Sequence, residues 1–372
     1  MSQAPRPLVD FVAGARPNFM KLAPVVRAVT RQACLAPRIV HTGQHYDEAM
    51  NQVFFTELGI PEPDVHLEVG SGSHGAQTAR ILERYEAHLL RERPAATVVF
   101  GDVNSTLACS LAAVKLGVPV AHVEAGLRSF DRTMPEEINR LLTDAVSELL
   151  LVSEHSGLVN LKREGVPENK ARLVGNVMID TLLARLDAAR ERGAARRLGL
   201  SDRSYGLVTL HRPSNVDDPR TLRRLLDLLH ELARALPLVF AVHPRTRAAA
   251  EHAGFGARLA SGQARLICLG PQGYVDTLSL AVGARVVLTD SGGLQEECSV
   301  LGVPCLTLRD STERPITVEL GTSRLVGNDA ERITAAFHEA LAGNWPSGKP
   351  IPLWDGQAGE RVAAELARWL AP

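Results

Sequence analysis

The sequence predicts an α/β protein of two doubly wound, Rossmann-like domains facing a cleft. Three observations carry that reading. The strand-like runs are apolar throughout instead of alternating, as in parallel sheets buried on both faces. Each run is followed by a helical stretch with one apolar face, which makes βαβ units. The chain, at 372 residues, is also too long for one ordinary core, and its strand–helix alternation runs once, pauses, and starts again.

In the first half, strands are expected at Leu8–Ala13, Arg38–His41, Ala96–Phe100, Val118–Val123, Leu149–Val152 and Ala171–Val174. Helices are expected at Asn18–Val29, Asp47–Leu58, Gln77–Arg93, Thr106–Leu116, Pro135–Ser147 and Glu154–Glu164, with a looser Gly-, Ser- and Pro-rich section at Pro61–Gly75. Asn176–Leu200 is a long Arg- and Ala-rich helical stretch, and the domain boundary is placed just before it. The alternation restarts with strands at Tyr205–Leu210, Leu238–Val242, Arg265–Leu269, Ala284–Leu288 and Val303–Leu308. Helices follow at Thr221–Leu236, Leu294–Leu301, Asp329–Leu341 and Gly359–Leu370. The predicted division is 1–175 for the first domain, 176–350 for the second, and 351–372 for a C-terminal helix packing back on the first.

Composition narrows the function. Net charge is −1, which gives no electrostatic footing for nucleic acid or an anionic membrane. Apolar runs are too short to span a bilayer, and Leu8–Ala13 reads as a first buried strand and not as a leader, so the expected location is cytoplasmic. The five cysteines sit in apolar contexts without pairing or CxxC spacing and read as reduced core residues. Neither HExxH nor a His/Asp cluster points to a metal.

Doubly wound domains bind ligands beyond the carboxyl ends of their strands, and polar residues gather there. Thr289-Asp290-Ser291-Gly292-Gly293-Leu294-Gln295-Glu296-Glu297 is a buried strand end, a Gly-Gly turn and a helix start. Glycines permit the sharp bend and close approach of an anion, and the free N–H groups of the helix start favour phosphate. Glu297 follows at a distance suited to sugar hydroxyls. Arg16 and Lys21 follow the first strand and can meet a pyrophosphate. Asp102 is not needed for capping and is a candidate site carboxylate, as is Glu124 at the end of an apolar strand. Glu136 and Glu137 open a helix, where acidic residues also serve the dipole. His211 and His243 stand at equivalent strand ends of the second domain.

Taken together, these motifs resemble the non-hydrolysing UDP-N-acetylglucosamine 2-epimerases, which share the architecture of GT-B glycosyltransferases. The resemblance covers nearly the whole chain. It rests on Gly14-Ala15-Arg16-Pro17-Asn18-Phe19-Met20-Lys21, His41-Thr42-Gly43-Gln44-His45-Tyr46-Asp47, Gly101-Asp102, His122-Val123-Glu124-Ala125-Gly126-Leu127-Arg128 and Met134-Pro135-Glu136-Glu137-Ile138-Asn139-Arg140 in the first half. In the second half it rests on His211-Arg212, the Asp290–Glu297 stretch and Thr312-Glu313-Arg314-Pro315. It implies that Asp102, Glu124, Glu136 and His211 form the catalytic set. It implies that Arg16 and Lys21 face the UDP phosphates, that Gln272 lies near uracil, that Ser291 and Gly292 bind phosphate, that Glu297 takes the ribose hydroxyls, and that Arg314 closes the nucleotide site. In relatives with an allosteric UDP-sugar site, Gln44, Arg212 and His243 match residues holding the second molecule, with His45 beside them. The chain departs from the pattern in two places: Thr277 stands where an aromatic is common, and Ser73-His74-Gly75-Ala76 lacks an arginine used by some allosteric members.

The implied reaction interconverts UDP-N-acetylglucosamine and UDP-N-acetylmannosamine. Loss of the C2 proton and of UDP, which are antiparallel in the gluco α-anomer, gives 2-acetamidoglucal; UDP returns to C1 and a proton to the opposite face of C2. Electrostatic stabilisation of departing UDP, carboxylates as proton carriers and exclusion of water suffice. No cofactor is called for, in keeping with the lack of a GxGxxG fingerprint in the first βαβ unit. The UDP-sugar is the expected partner, with a homodimer implied by the family and neither nucleic acid nor membrane. The competing readings are a hydrolysing relative releasing N-acetylmannosamine and UDP, a GT-B glycosyltransferase needing an acceptor, a UDP-sugar sensor, and an epimerase of a 3-acetamido-uronate nucleotide.

Overall fold

A computed structural model describes residues 6–44, 55–259 and 265–371. The chain forms two compact units, residues 1–184 with 352–372, and residues 185–351. The division falls at Ala184/Arg185, inside the helix Val177–Arg192, and not at residue 175. The first turns of that helix are tied into the first unit: Asp180 accepts from Ala358 N and Gly359 N at 3.1 and 2.7 Å. Thr181 Oγ1 donates to Met20 O at 2.6 Å. Pro24 sits inside the helix Arg16–Gln32 and has no N–H to offer the carbonyl four residues back. Thr181 supplies the missing donor.

The first unit holds a seven-stranded sheet among the described residues, in the order β3-β2-β1-β4-β5-β6-β7. The strands are β1 (Leu8–Ala13), β2 (Ala36–His41), β3 (Val65–His66), β4 (Ala96–Phe100), β5 (Val120–Ala125), β6 (Leu149–Val152) and β7 (Ala171–Leu173). All pairs are parallel. β3 lies within the section read from sequence as loose; two residues are too short to show a period. The helix expected at Asp47–Leu58 falls mostly outside the described residues.

Among the described residues the second unit holds six parallel strands, in the order β10-β9-β8-β11-β12-β13. They are β8 (Gly206–Thr209), β9 (Leu238–Ala241), β10 (Leu266–Leu269), β11 (Val286–Thr289), β12 (Cys305–Thr307) and β13 (Ser323–Leu325). Adjacent residues feed opposite cores. Val208 and Leu288 pack with Leu222, Leu226 and Phe337 on one face. Leu207 and Val287 pack with Leu280, Leu294 and Cys298 on the other. Each such buried Val or Leu is worth roughly 1.5–3 kcal/mol against an exposed one, which is why these strands carry no polar face. The long stretch Asn176–Leu200 is not one helix: Gly193, at φ 56°, breaks it into Val177–Arg192 and Ala194–Arg197.

The α/β, doubly parallel architecture matches the sequence expectation, and its strand orders fix where a ligand would sit. In each sheet the order reverses once, between β1 and β4 and between β8 and β11, and the crevice beyond the strand ends opens there.

Candidate active site

In the first unit, the β1/β4 switch point gathers Lys21, Gly101, Asp102 and Glu124. Lys21 Nζ meets Glu124 Oε1 at 2.7 Å, with side-chain exposures of 6% and 3%. Glu124 has φ 75°, a left-handed conformation unusual for a residue with a Cβ, and the β5–β6 register shifts between Val123 and Ala125. Such a residue costs on the order of 1–3 kcal/mol and persists only where its surroundings enforce it. Gly101 also has positive φ, and a Cβ there would lie 2.6 Å from Lys21 Nζ. Only glycine lets the ammonium lie against this turn.

Asp102 is partly exposed, at 21% for its side chain, and takes Arg140 Nη1 at 2.5 Å. Arg140 is shared with Glu137 through Nη2 at 2.7 Å. Glu137 also accepts from Ser129 N at 2.9 Å and Phe130 N at 3.0 Å. Burial resists its ionisation, but those N–H groups and Arg140 outweigh it and hold its pKa below the usual range. Glu137 is thus committed to the 129–130 loop. Glu136, its neighbour in the first turn of the helix Pro135–Val146, is half-buried.

At the β1 turn, the N–H groups of Gly14 and Ala15 are taken up within the chain. Asn18 Oδ1 accepts from Gly14 N and Ala15 N, both at 3.1 Å, and its Nδ2 donates to Phe100 O at 2.8 Å. The Arg16 side chain lies outside what the structure describes. Gln44 is buried; Ser105 Oγ donates to its Oε1 at 2.8 Å and Gln77 Nε2 to its carbonyl at 3.1 Å. His45 lies outside the described residues.

In the second unit, His211 follows the end of β8 and Asp290 the end of β11, side by side at the other switch point. Asp290 Oδ1 lies 2.8 Å from His211 Nδ1. The same carboxylate accepts from His211 N at 3.0 Å, Arg212 N at 2.9 Å and Asn215 Nδ2 at 3.1 Å. Burial works against its charge, but the bonds from His211 and Arg212 prevail and keep its pKa low. With Nδ1 held by Asp290, His211 is left to act through Nε2. The His243 ring lies 5.3 Å from that of His211, and its Nδ1 accepts from Arg245 N.

Ser291 stands at the N-cap position of the helix Gly292–Leu301 without a side-chain capping bond, and the first N–H groups have no acceptor within the helix. A Cβ on Gly292 would sit 2.9 Å from both Arg314 Nη1 and Glu313 Oε1, so the Arg314 guanidinium covers this helix start. Arg314 is fixed by Glu296 at 2.6 Å and Glu313 at 2.5 Å, and Glu313 also takes Arg309 at 2.7 Å. Glu297 is buried; desolvation lifts its pKa to about 7, with Tyr274 pulling down and Glu296 pushing up. Gln272 Nε2 donates to Gly270 O at 2.9 Å just ahead of the helix Tyr274–Gly283.

The structure therefore brings Lys21, Asp102 and Glu124 to one switch point, and His211, Arg212, His243, Ser291, Gly292 and Arg314 to the corresponding end of the second sheet. Sequence reading missed the roles of Asp290, Arg140 and Glu313. Arg140 stood three residues after Glu137, a spacing that signals a helical ion pair. Asp290 carried no local signal, because its partner is 79 positions away in the chain.

A protein-family model described as UDP-N-acetylglucosamine 2-epimerase matches residues 27–367. The UDP-N-acetylglucosamine 2-epimerase of Methanocaldococcus jannaschii is 42% identical over 365 residues, covering 96% of this chain and 98% of its own. The UDP-2,3-diacetamido-2,3-dideoxy-D-glucuronate 2-epimerase of Pseudomonas aeruginosa is 41% identical over 366 residues, covering 96% and 98%. The crystal structure of the M. jannaschii enzyme in complex with UDP-GlcNAc and UDP aligns with a TM-score of 0.91 at 41% identity, over 97% of this chain and 99% of that one.

Proposed function

This chain belongs to the UDP-N-acetylglucosamine 2-epimerase family, and we propose that it interconverts UDP-N-acetylglucosamine and UDP-N-acetylmannosamine without net hydrolysis. The observation that carries the chemistry is Glu124: a buried carboxylate in a strained backbone conformation, paired with Lys21 beside Asp102 at a sheet switch point.

In the proposed reaction a carboxylate of the set Asp102, Glu124 and Glu136 takes the C2 proton. The C2–H electron pair becomes the C1=C2 double bond, and the C1–O bond breaks with its electrons leaving on UDP. UDP then returns to C1 while a second carboxylate delivers a proton to the opposite face of C2. The 2.7 Å Lys21 contact supports proton work by Glu124 by fixing where its carboxylate stands. Arg140 does the same for Asp102.

The second unit is proposed to hold UDP. The start of the helix Gly292–Leu301 and Arg314 suit a pyrophosphate, Glu297 suits the ribose hydroxyls, and Gln272 suits the base. His211, oriented by Asp290, suits the leaving oxygen. Retaining UDP through the intermediate is what separates epimerisation from hydrolysis.

The P. aeruginosa relative, whose donor is a diacetamido-glucuronate, is similar to nearly the same degree, so both nucleotide sugars belong in the test. Incubation of the protein with each in deuterated water is followed by proton NMR. A second UDP-hexosamine carrying deuterium at C2, without accumulating UDP, is the expected result with UDP-N-acetylglucosamine. Free N-acetylmannosamine plus UDP would make it a hydrolysing enzyme, and turnover of the uronate alone would move the donor.

A further inference from the structure

We propose that Asp144 is a positioning residue for Glu124, holding the His122 side chain before its left-handed turn and the Gly126 N–H after it. The inference rests on the reading of Glu124 as a proton carrier.

His122 and Glu124 lie two apart on β5, and in an unbroken strand both side chains would leave the same face. They do not. His122 Nδ1 meets Asp144 Oδ1, on the helix Pro135–Val146, at 2.7 Å. Glu124 meets Lys21, on the helix Arg16–Gln32. The chain passes from β1 to β2 in one direction across the sheet and from β5 to β6 in the other. Right-handed crossovers therefore lay these two helices on opposite faces. The reversal happens at Glu124, where φ is 75° and the register with β6 slips.

One carboxylate spans the reversal. Asp144 Oδ1 holds the side chain two residues before Glu124, and Oδ2 accepts from Gly126 N, two residues after it, at 3.0 Å. Arg128 Nη2, at 2.7 Å from Oδ2, balances the charge and is in turn paired with Glu164. His122 Nε2 faces Gly101 O at 2.7 Å. Both ring nitrogens thus face oxygens, one on each side of the imidazole. Gly101 N donates to Val123 O at 3.0 Å, and Gly101 immediately precedes Asp102. Asp144 is 2% exposed and touches none of the proposed reacting groups. Its two oxygens nevertheless set the path that turns Glu124 toward Lys21.

The test uses the full chain, with kcat expressed per UDP-binding site so that partial unfolding does not count as slow turnover. D144N should lower kcat about 100-fold, with KM and the UDP Kd within about threefold. H122Q, which frees one side of the turn, should lose about tenfold. E164Q, which loosens the far side of Arg128 and leaves the turn alone, should stay within about twofold. Wild-type kcat in D144N, or an equal loss in E164Q, overturns the proposal. If D144N does not fold, H122Q decides alone: a fall in kcat at unchanged KM supports the role, and unchanged kcat overturns it. E124Q separates this from the functional reading. Wild-type turnover in E124Q removes Glu124 from the chemistry, whereas an inactive E124Q beside a fully active D144N removes only the role of Asp144.

Discussion

The two sheets follow one plan and use their switch points in opposite ways. At the β1 turn of the first unit, Asn18 takes the N–H groups of Gly14 and Ala15, so those two are not offered to an anion. What remains there is acid and base: Lys21 with Glu124, Arg140 with Asp102. At the β11 turn of the second unit, the helix opens on Gly292 and Gly293 under the Arg314 guanidinium. The difference lies in a few side chains near a helix start, because the strand–turn–helix frame is the same. A doubly wound sheet offers a place, and on the proposed reading the first helical turn decides whether that place holds phosphate or moves protons.

That contrast predicts a split in kinetics. D102N and E124Q should lower kcat by about 10²–10⁴-fold, the usual range for general acid–base groups, while leaving UDP affinity within about tenfold. Isothermal titration with UDP beside the NMR exchange assay measures both. A large loss of UDP binding in either variant would erase the distinction between the two units.

The reciprocal change is G292A. Its added methyl would press to 2.9 Å from Arg314 Nη1 and Glu313 Oε1. The UDP Kd should rise about 10–100-fold, or about 1.4–2.8 kcal/mol, with kcat at saturation within about threefold. A variant that binds UDP normally would show that Gly292 is there for packing alone.

The fold was readable because buried parallel strands leave an unmistakable apolar run, and Leu207, Val208, Val286 and Val287 all lie in such runs. Boundaries were less so: the domain division falls inside Val177–Arg192 because Asp180 and Thr181 bond to residues more than 150 positions away. Site residues at strand ends were visible as polar exceptions in apolar surroundings. Their partners were not, since Asp290 meets His211, and Asp144 meets His122, only through strand order and helix placement. Nor does a sequence reveal that Glu124 has positive φ; that follows from the tertiary clamp around it.

A third consequence concerns pH. Glu297 is buried beside Glu296 and its folded pKa is lifted to about 7 from an ordinary 4.5. The folded state therefore binds more protons than the unfolded one between those values, and stability falls as pH rises through that window. The unliganded protein should lose thermal stability between about pH 5 and pH 7, and E297Q should lose less. An identical slope in both proteins would mean that Glu297 ionises freely and that burial does not govern it.

The smallest expected effect lies away from both switch points. Asp180 accepts from Ala358 N and Gly359 N at the start of the helix Ala358–Trp369. Burial nonetheless lifts its pKa to about 6. D180A leaves two buried N–H groups without their acceptor and should cost about 2 kcal/mol. That lowers the thermal midpoint by about 4–8 °C for a domain near this size, with kcat at 25 °C unchanged because neither set of site residues touches it. D180N keeps one acceptor and carries no charge to bury. Ionising Asp180 costs the wild type stability as pH rises from about 4 to about 6, so the deficit of D180N should shrink across that window. The slope from Glu297 is common to both proteins and cancels in the difference. A deficit that widened with pH would mean that the two N–H bonds hold Asp180 ionised against burial, reversing the order of those two effects.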